Sequence, residues 1–348
     1  MFKLDPQTIK QWKRFRSIKR GYWSALILVT LIVLSCFAEL YVNNRALIVS
    51  YEGKWYFPTY AGKILPGSMF GLGDDYISET NYRDLKQKFK EEDIGNWVIM
   101  PLVPFGPEET DGDHIFESPS LETKHFLGTY DAGRDVLAAL VYGFRTAMAF
   151  ALILLVCTYI AGICIGCLMG YWGGAFDLLF QRLIEIWNTV PFLYVIMIVA
   201  SVLSRSFWTL LGVMVFFGWT TMTWNMRTST YKEKAREYVS AASALGASNT
   251  RIIGSHILPN TISVIVTFIP FSIAGGIAAL TALDYLGFGL PPDQASWGNL
   301  LKIGTANLQS GWIVTSVTVS LIVVLLMVTY VGEAIREAFD PKKFSYYE

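Results

Sequence analysis

Charge is what this 348-residue chain has least of. Asp, Glu, Lys and Arg make up 16% of it, against about 25% in an ordinary soluble domain. The 28 basic and 28 acidic residues cancel, so no net field points to nucleic acid as a partner. Cysteine is sparse. Cys36, Cys157, Cys164 and Cys167 all lie inside apolar runs, and Cys164-x-x-Cys167 has no second Cys or His pair beside it. That pattern excludes a disulfide framework or a zinc ribbon and reads as small apolar residues of membrane helices.

The constellations that carry enzyme chemistry are missing too. There is no G-x-x-x-x-G-K-[ST], hence no phosphate-binding loop. H-E-x-x-H is absent, and the histidines, His114, His125 and His256, stand far apart in sequence and on opposite sides of the predicted membrane. No Ser, Thr or Cys sits in a nucleophile setting, and Gly71-x-Gly73 is an isolated fragment. An active site needs convergent polar groups. The chain is therefore read as no enzyme, with no metal and no cofactor of its own; driving chemistry belongs to a partner.

What is abundant is apolar residue, 53% of the chain. Six runs approach the roughly 20 residues that cross a bilayer: 22–42, 146–170, 186–203, 208–226, 261–283 and 313–331. The first follows a basic tail with Lys3, Lys10, Lys13, Arg14, Arg16, Lys19 and Arg20 against Asp5. It is longer than a signal-peptide core and lacks a small-x-small site after Ala38, so it reads as an uncleaved anchor with a cytoplasmic N-terminus. Threading from there puts 170–181, 227–260 and 333–348 inside. The inside loop and tail hold Arg227, Lys232, Lys234, Arg236, Arg251, Arg336, Lys342 and Lys343, while the two short outside loops hold Arg205 and Lys302. That is the expected positive-inside bias.

Four parts follow: tail and first span (1–42), an extracytoplasmic segment (43–140), a core of five spans (141–338) and a cytoplasmic tail (339–348). The second part is polar to about residue 124. It is rich in Tyr, Trp, Pro and Gly, and it carries acidic clusters at Asp74 and Asp75, Glu91 to Asp93, and Glu108 and Glu109. A strand is predicted near 54–57 and a short helix near 85–89. A connector this long has a purpose of its own.

Within the core, residues 227–260 form the longest polar interruption. Tyr231, Ala235, Tyr238, Ala242 and Leu245 fall at helical spacing and predict one helix over 231–245. Gly246 suits a C-cap at positive φ, and Ser248 or Asn249 can cap a second short helix before a break at Leu258-Pro259. Inside the spans, Pro191, Pro259 and Pro270 interrupt or begin helices. Gly162, Gly166 and Gly170 recur every four residues, which suits close helix contact, as do Gly275 and Gly276. Arg182 and Glu185 can pair at i,i+3. Asp284, at the outer end of its span, is either a pathway group or a hydrated interfacial one.

Several of these stretches resemble one family. Ala241-Ala242-x-x-x-Gly246, followed by Leu258-Pro259, is similar to the EAA loop of permeases from binding-protein-dependent ABC importers. His125-Phe-Leu-Gly-Thr-Tyr-Asp-Ala-Gly-Arg-Asp-Val-Leu137 and Gly170-Tyr-Trp-Gly-Gly-Ala-Phe-Asp177 resemble the C-type (OppC/DppC-like) permeases of dipeptide and oligopeptide importers. Tyr51-x-Gly-x-Trp-Tyr-Phe-Pro58, Leu283-Asp-Tyr-Leu-Gly-Phe-Gly-Leu-Pro291, Ala306-Asn-Leu-Gln309 and Gly332-Glu-Ala-Ile-Arg-Glu-Ala-Phe-Asp-Pro341 are similar to its YejE branch, permeases for peptides and microcin C. The acidic first position of the EAA triplet is Ser240 here, and a later apolar position is His256. The acidic contact is thus absent or shifted to Glu237.

The resemblance implies an all-α polytopic inner-membrane protein of six transmembrane helices with the type I ABC importer permease fold and a small periplasmic insertion. It implies a B-type permease as heterodimer partner, an ABC ATPase that binds ATP (two chains or one fused), and a periplasmic peptide-binding protein. ATPase coupling falls to Glu237, Ser240, Ala241, Ala242, Gly246, Leu258 and Pro259. Pathway or gating candidates are Pro191, Pro270, Gly275, Gly276 and Asp284. Two rivals remain from the residues alone. A secondary transporter would show inverted repeats and central charges, and neither is visible. A membrane sensor would use the same outer segment and inner knob without moving cargo.

Overall fold

The computed structural model describes residues 6–73 and 78–339. Lys3, Asp5, the acidic pair Asp74 and Asp75, and the tail from Asp340 with Lys342 and Lys343 lie outside the described residues. In chain order the elements are α1 (Pro6–Ser17), α2 (Lys19–Cys36), β1 (Ile48–Tyr51), β2 (Lys54–Tyr56), α3 (Tyr82–Glu92), β3 (Trp97–Ile99), α4 (Val136–Trp172) and α5 (Gly174–Thr189). Then come α6 (Phe192–Val202), α7 (Phe207–Lys234), α8 (Glu237–Ala244), α9 (Asn249–Arg251), a π-helical turn (Ile252–Ile257), α10 (Leu258–Leu286), α11 (Trp297–Ala306) and α12 (Gly311–Phe339).

Among the described residues, five helices are long and apolar enough to span a bilayer: Lys19–Cys36, Val136–Trp172, Phe207–Lys234, Asn249–Leu286 and Gly311–Phe339. The sixth expected span, over 186–203, is present but broken, and it starts earlier, at Gly174. It is a pair, α5 and α6, bent by 68°. Pro191 has no N–H to continue a helix and forces the residue before it out of the α region. Val190 is accordingly extended, at φ −70° and ψ 121°. α2 stops at Cys36, short of the expected 42, whereas the other four spans outrun their apolar runs, two of them from polar caps. Asp135 accepts from the Ala138 N–H at 2.7 Å and starts α4 a few turns before the apolar run. Ser206 caps α7, and α7 then continues through Arg227 and Lys232 to Lys234.

The small-residue spacing on α4 serves α7. A Cβ at Gly166 would lie 2.5 Å from the Thr223 carbonyl oxygen, and one at Gly170 would lie 2.6 Å from that of Arg227. At Gly162 the nearest atom would be Met222 Cβ at 2.7 Å. The two backbones touch along three turns, which only glycine permits. Around this seam the main core gathers Phe144, Phe150, Leu211, Ile277, Leu280, Trp297 and Val317 from α4, α7, α10, α11 and α12. The Trp297 indole donates to the Leu140 carbonyl at 2.9 Å and pins α11 across α4. α2 lies along α12, with Gly21 against Ala334.

Between α2 and α4 the chain builds a small domain with its own core. Strands run in the order β2-β1-β3, both pairs antiparallel. Glu52 and Gly53, at φ 49° and 74°, form the tight turn that suits a two-residue hairpin. Val49, Leu65, Phe70, Tyr82, Leu85, Phe89 and Val98 are buried together beneath α3. The strand expected near 54–57 is β2, and the helix near 85–89 extends to Tyr82–Glu92 because Asn81 caps it through the Arg83 and Asp84 N–H groups. β1 and β3 are too short to show a period and were not foreseen. The domain is tied back to α4 by the Tyr142 hydroxyl on the Val42 carbonyl at 2.9 Å and by Arg145 on Glu39 at 2.6 Å.

Replacing Gly166 with Leu is expected to lower the thermal midpoint of the detergent-solubilised protein, since overpacking a close seam costs about 1–3 kcal/mol or more. Gly275→Ala meets open space and should not lower the midpoint, the packing term there being within about 0.5 kcal/mol of zero. Equal midpoints for the two variants would contradict a backbone seam between α4 and α7.

Candidate functional site

The polar loop after α7 is organised by a break that the periodicity concealed. The expected single helix over 231–245 is corrected: α7 ends at Lys234, Arg236 is extended (φ −77°, ψ 144°), and α8 begins at Glu237. Tyr231 and Ala235 therefore belong to the end of α7 and do not share a stripe with Tyr238, Ala242 and Leu245. α8 ends as the sequence requires. Gly246 sits at φ +80°. Its N–H reaches Ser243, and the Ala247 N–H reaches back to the Ala242 carbonyl at 3.1 Å. This pair of bonds is the Schellman closure. A Cβ at Gly246 would meet nothing within 4 Å, so the requirement for glycine there is conformational and not steric.

Ser248 caps the next turn, accepting from the Arg251 N–H at 3.4 Å. The expected break at Leu258-Pro259 does not occur. The chain runs from α9 through the π turn into α10, with Pro259 in the first turn of that helix, where its missing N–H costs nothing. The π turn was unforeseen, since its wider winding leaves no composition signal.

One face of the loop is buried and the other is bare. Val239, Ile252 and Ile257 form a buried cluster with Tyr171 and Ala247, worth roughly 1.5–3 kcal/mol for each large side chain. Tyr238 donates to Glu233 at 2.7 Å and accepts from Asn260, which also holds the His256 carbonyl at 2.6 Å. Burial, with the Glu233 carboxylate beside it, pushes the Tyr238 phenol above its ordinary value and keeps it a donor. On the other side Glu237, Ser240, Ala241 and Gly246 are exposed and Ala242 is half-buried, while Leu245 projects with 89% of its surface free. Leu258 departs from this set and packs toward Tyr159, Cys167, Met222 and Met226 between the spans.

The loop is footed on an ion pair absent from the expected set. Arg227 grips Asp177 through Nε at 2.5 Å and Nη2 at 2.6 Å. The side chains are 25% and 14% exposed, so this bidentate pair is of the stronger kind. Both residues had a signal in sequence, one as an inside cation and the other at the end of a motif, but nothing joined them. The pair that was expected, Arg182 with Glu185, forms at 2.6 Å but is largely exposed and contributes little.

The pathway candidates scatter. Pro191 lies at the α5–α6 bend, Pro270 and Gly276 are buried within α10, and Gly275 is exposed. Asp284 is 5% exposed. The expectation of a hydrated interfacial group is therefore corrected: its Oδ1 accepts the Leu290 N–H at 2.6 Å and fastens the turn after α10. A cavity of about 210 Å³ opens instead between α4, α7 and α10, where Thr158, Tyr159, Thr221, Asn225 and Ser272 bring polar atoms to an apolar wall. None of the expected pathway residues lines it. Single hydroxyls on separate helices gave no sequence signal.

This arrangement is that of a multispanning membrane protein, and the chain belongs to the family of binding-protein-dependent transport system inner membrane components, which it matches over residues 162–345. Within that family it is YejE-like. It is 39% identical to the inner membrane ABC transporter permease protein YejE of Escherichia coli K12, covering 99% of both chains. It is 34% identical to the peptidoglycan transport system permease protein YejE of Agrobacterium fabrum, over 97% of this chain and 94% of that one. The oligopeptide transport system permease protein OppC of Haemophilus influenzae is 28% identical over 75% of this chain. An inward-facing MetNI methionine ABC transporter structure aligns at TM-score 0.49 and 13% identity over 58% of this chain and 96% of that one, a likeness in outline from which no contact follows. The protein is an ABC importer permease of a peptide transport system, and its relatives are transport permeases, not enzymes.

Truncating either side of the Asp177–Arg227 pair should lower the thermal midpoint. A double-mutant cycle with Asp177→Ala and Arg227→Ala should return a coupling of about 0.5–3 kcal/mol. Additive effects would show that the loop is not footed there.

Proposed function

We propose that the chain forms one half of a peptide translocation path, pairs with a B-type permease, and is driven by a cytoplasmic ABC ATPase that docks on α8. The observation that carries this reading is the two-sided loop at Glu237–Ala244. A short helix of exposed small residues can lie close in a groove, and its buried back, tied to α4 and α7, turns a push on it into movement of whole spans. Coupling between distant sites needs such a connected element. Glu237 and Ser240 take the place of the usual acid, with Leu245 as an apolar plug. ATP is bound by the partner, as two chains or one fused, and this chain holds no nucleotide.

The unpartnered apolar face of α5 and α6 supports the heterodimer. Leu178, Leu179, Ile186, Leu193, Ile198 and Val202 are all exposed, and the cavity beside α4, α7 and α10 is open on one side. In this reading the tail and first span (1–42), the periplasmic segment (43–140), the permease core (141–338) and the C-terminal tail (339–348) are functional divisions. Both termini are cytoplasmic, and the domain around β1–β3 faces a soluble peptide-binding protein. The cargo is peptide. One relative is named for peptidoglycan transport, which favours peptidoglycan fragments within that class, and the resemblance to the YejE branch adds peptide antibiotics of the microcin C type.

Gly246→Asp removes the residue that tolerates positive φ and should leave the protein in the membrane while abolishing uptake of a toxic peptide by whole cells. Normal uptake at normal membrane levels would remove α8 from the coupling role. Deleting residues 64–109 should abolish delivery from the binding protein. Inactivating the partner ATPase should stop transport, whereas a secondary carrier would continue and a sensor would have moved nothing from the start.

A further inference from the structure

Spacing in sequence predicted no metal ligands, yet the fold brings His114 and His125 together, with ring centroids 5.7 Å apart. His125 is fully buried. Its Nδ1 lies 2.8 Å from Asp135 Oδ2. Donation to that carboxylate places the proton on Nδ1 and leaves a lone pair on Nε2, and Nε2 has no hydrogen-bond partner among the described residues. A buried acceptor with nothing to accept is costly and calls for an occupant. Phe105 stacks on the ring at 3.9 Å and closes one side to water.

The other donors point at the same place. Asp111, His114 and His125 each bring a ligand atom within 4.8 Å of the rest. His114 Nδ1 is 3.0 Å from Asp111 Oδ2. Its Nε2 is 3.8 Å from Glu117 Oε2, a second buried atom without a hydrogen-bond partner.

We propose that Asp111, His114 and His125 bind a divalent transition-metal ion of the Zn²⁺ class, with a solvent ligand in the fourth position and Glu117 at the far nitrogen of the His114 ring. Two imidazoles and a carboxylate suit Zn²⁺, and they offer too few oxygens for Ca²⁺. Asp135 orients His125 from behind, as a carboxylate does for a metal-bound histidine. Ligand atoms around tetrahedral zinc stand about 3.3 Å apart, given metal–ligand bonds near 2.0–2.2 Å. The half-buried side chains of Asp111 and His114 can close that gap by rotation, replacing their shared proton with the metal. Because Asp135 also caps α4 at the Ala138 N–H, the ion would brace the segment before α4 directly onto the head of that helix.

The test uses the full chain in detergent, with an affinity tag free of histidine, stripped with EDTA and titrated with ZnCl₂. One Zn²⁺ per chain is expected to remain after gel filtration by mass-spectrometric metal counting, and Co²⁺ should give the visible bands of a tetrahedral site. His114→Gln and Asp111→Asn, both at partly exposed positions, should weaken zinc binding at least tenfold while eluting like the parent. His256→Gln, at the other end of the bundle, should not change it. A stripped chain that takes up no Zn²⁺ overturns the proposal and leaves His114 paired with Asp111. Uptake indifferent to both His114→Gln and Asp111→Asn overturns it as well.

Discussion

The close approach of α4 and α7 is the constraint on which the rest of the molecule depends. Within a bilayer, apolar side chains gain nothing by leaving lipid for one another, so helices associate through close packing and satisfied polar groups. Gly162, Gly166 and Gly170 supply the packing by letting the α7 backbone lie directly on α4. Asp177 and Arg227 supply the polar lock at the end of the same seam. Where the seam stops, α7 ends and the chain turns into α8. The position of the cytoplasmic knob in the proposed mechanism is thus set by glycine spacing on a different helix.

The knob divides its labour between two faces. Val239, Ile252 and Ile257 hold it by apolar burial, and Tyr238, Glu233, His256 and Asn260 hold it by directed bonds. Little of this binding energy depends on Ser240, Ala241 or Gly246, whose side is bare. In the proposed mechanism that separation lets the bare side meet a partner without weakening the attachment, and the loop acts as a lever and not a tether. At the opposite end of α4 the logic recurs. Asp135 caps the helix and orients His125, so a buried polar pair joins the β-domain segment to the head of the same long helix. α4 is gripped at both ends.

Much of this was legible from local pattern. The long apolar runs predicted five of the spans, and the turn chemistry at Gly246 and the cap at Ser248 appear as expected, because each depends only on neighbouring residues. The motifs sufficed for the family. Periodicity failed where a backbone break interrupted it without a change in composition, as between Lys234 and Glu237. It failed again where a π turn carried the helix past Leu258 and Pro259.

What the sequence by itself determined is therefore the inventory: apolar spans, glycines at helical spacing and a left-handed turn. Tertiary structure alone decided the partners. It bent the span at Pro191, placed Asp284 under its own loop, gathered hydroxyls from separate helices into one cavity, joined Asp177 to Arg227, and set His114 beside His125. The physical reason is range. Hydropathy, capping and φ preference act over a few residues and are written locally, whereas an ion pair or a ligand set exists only once packing has brought distant residues within a few ångströms.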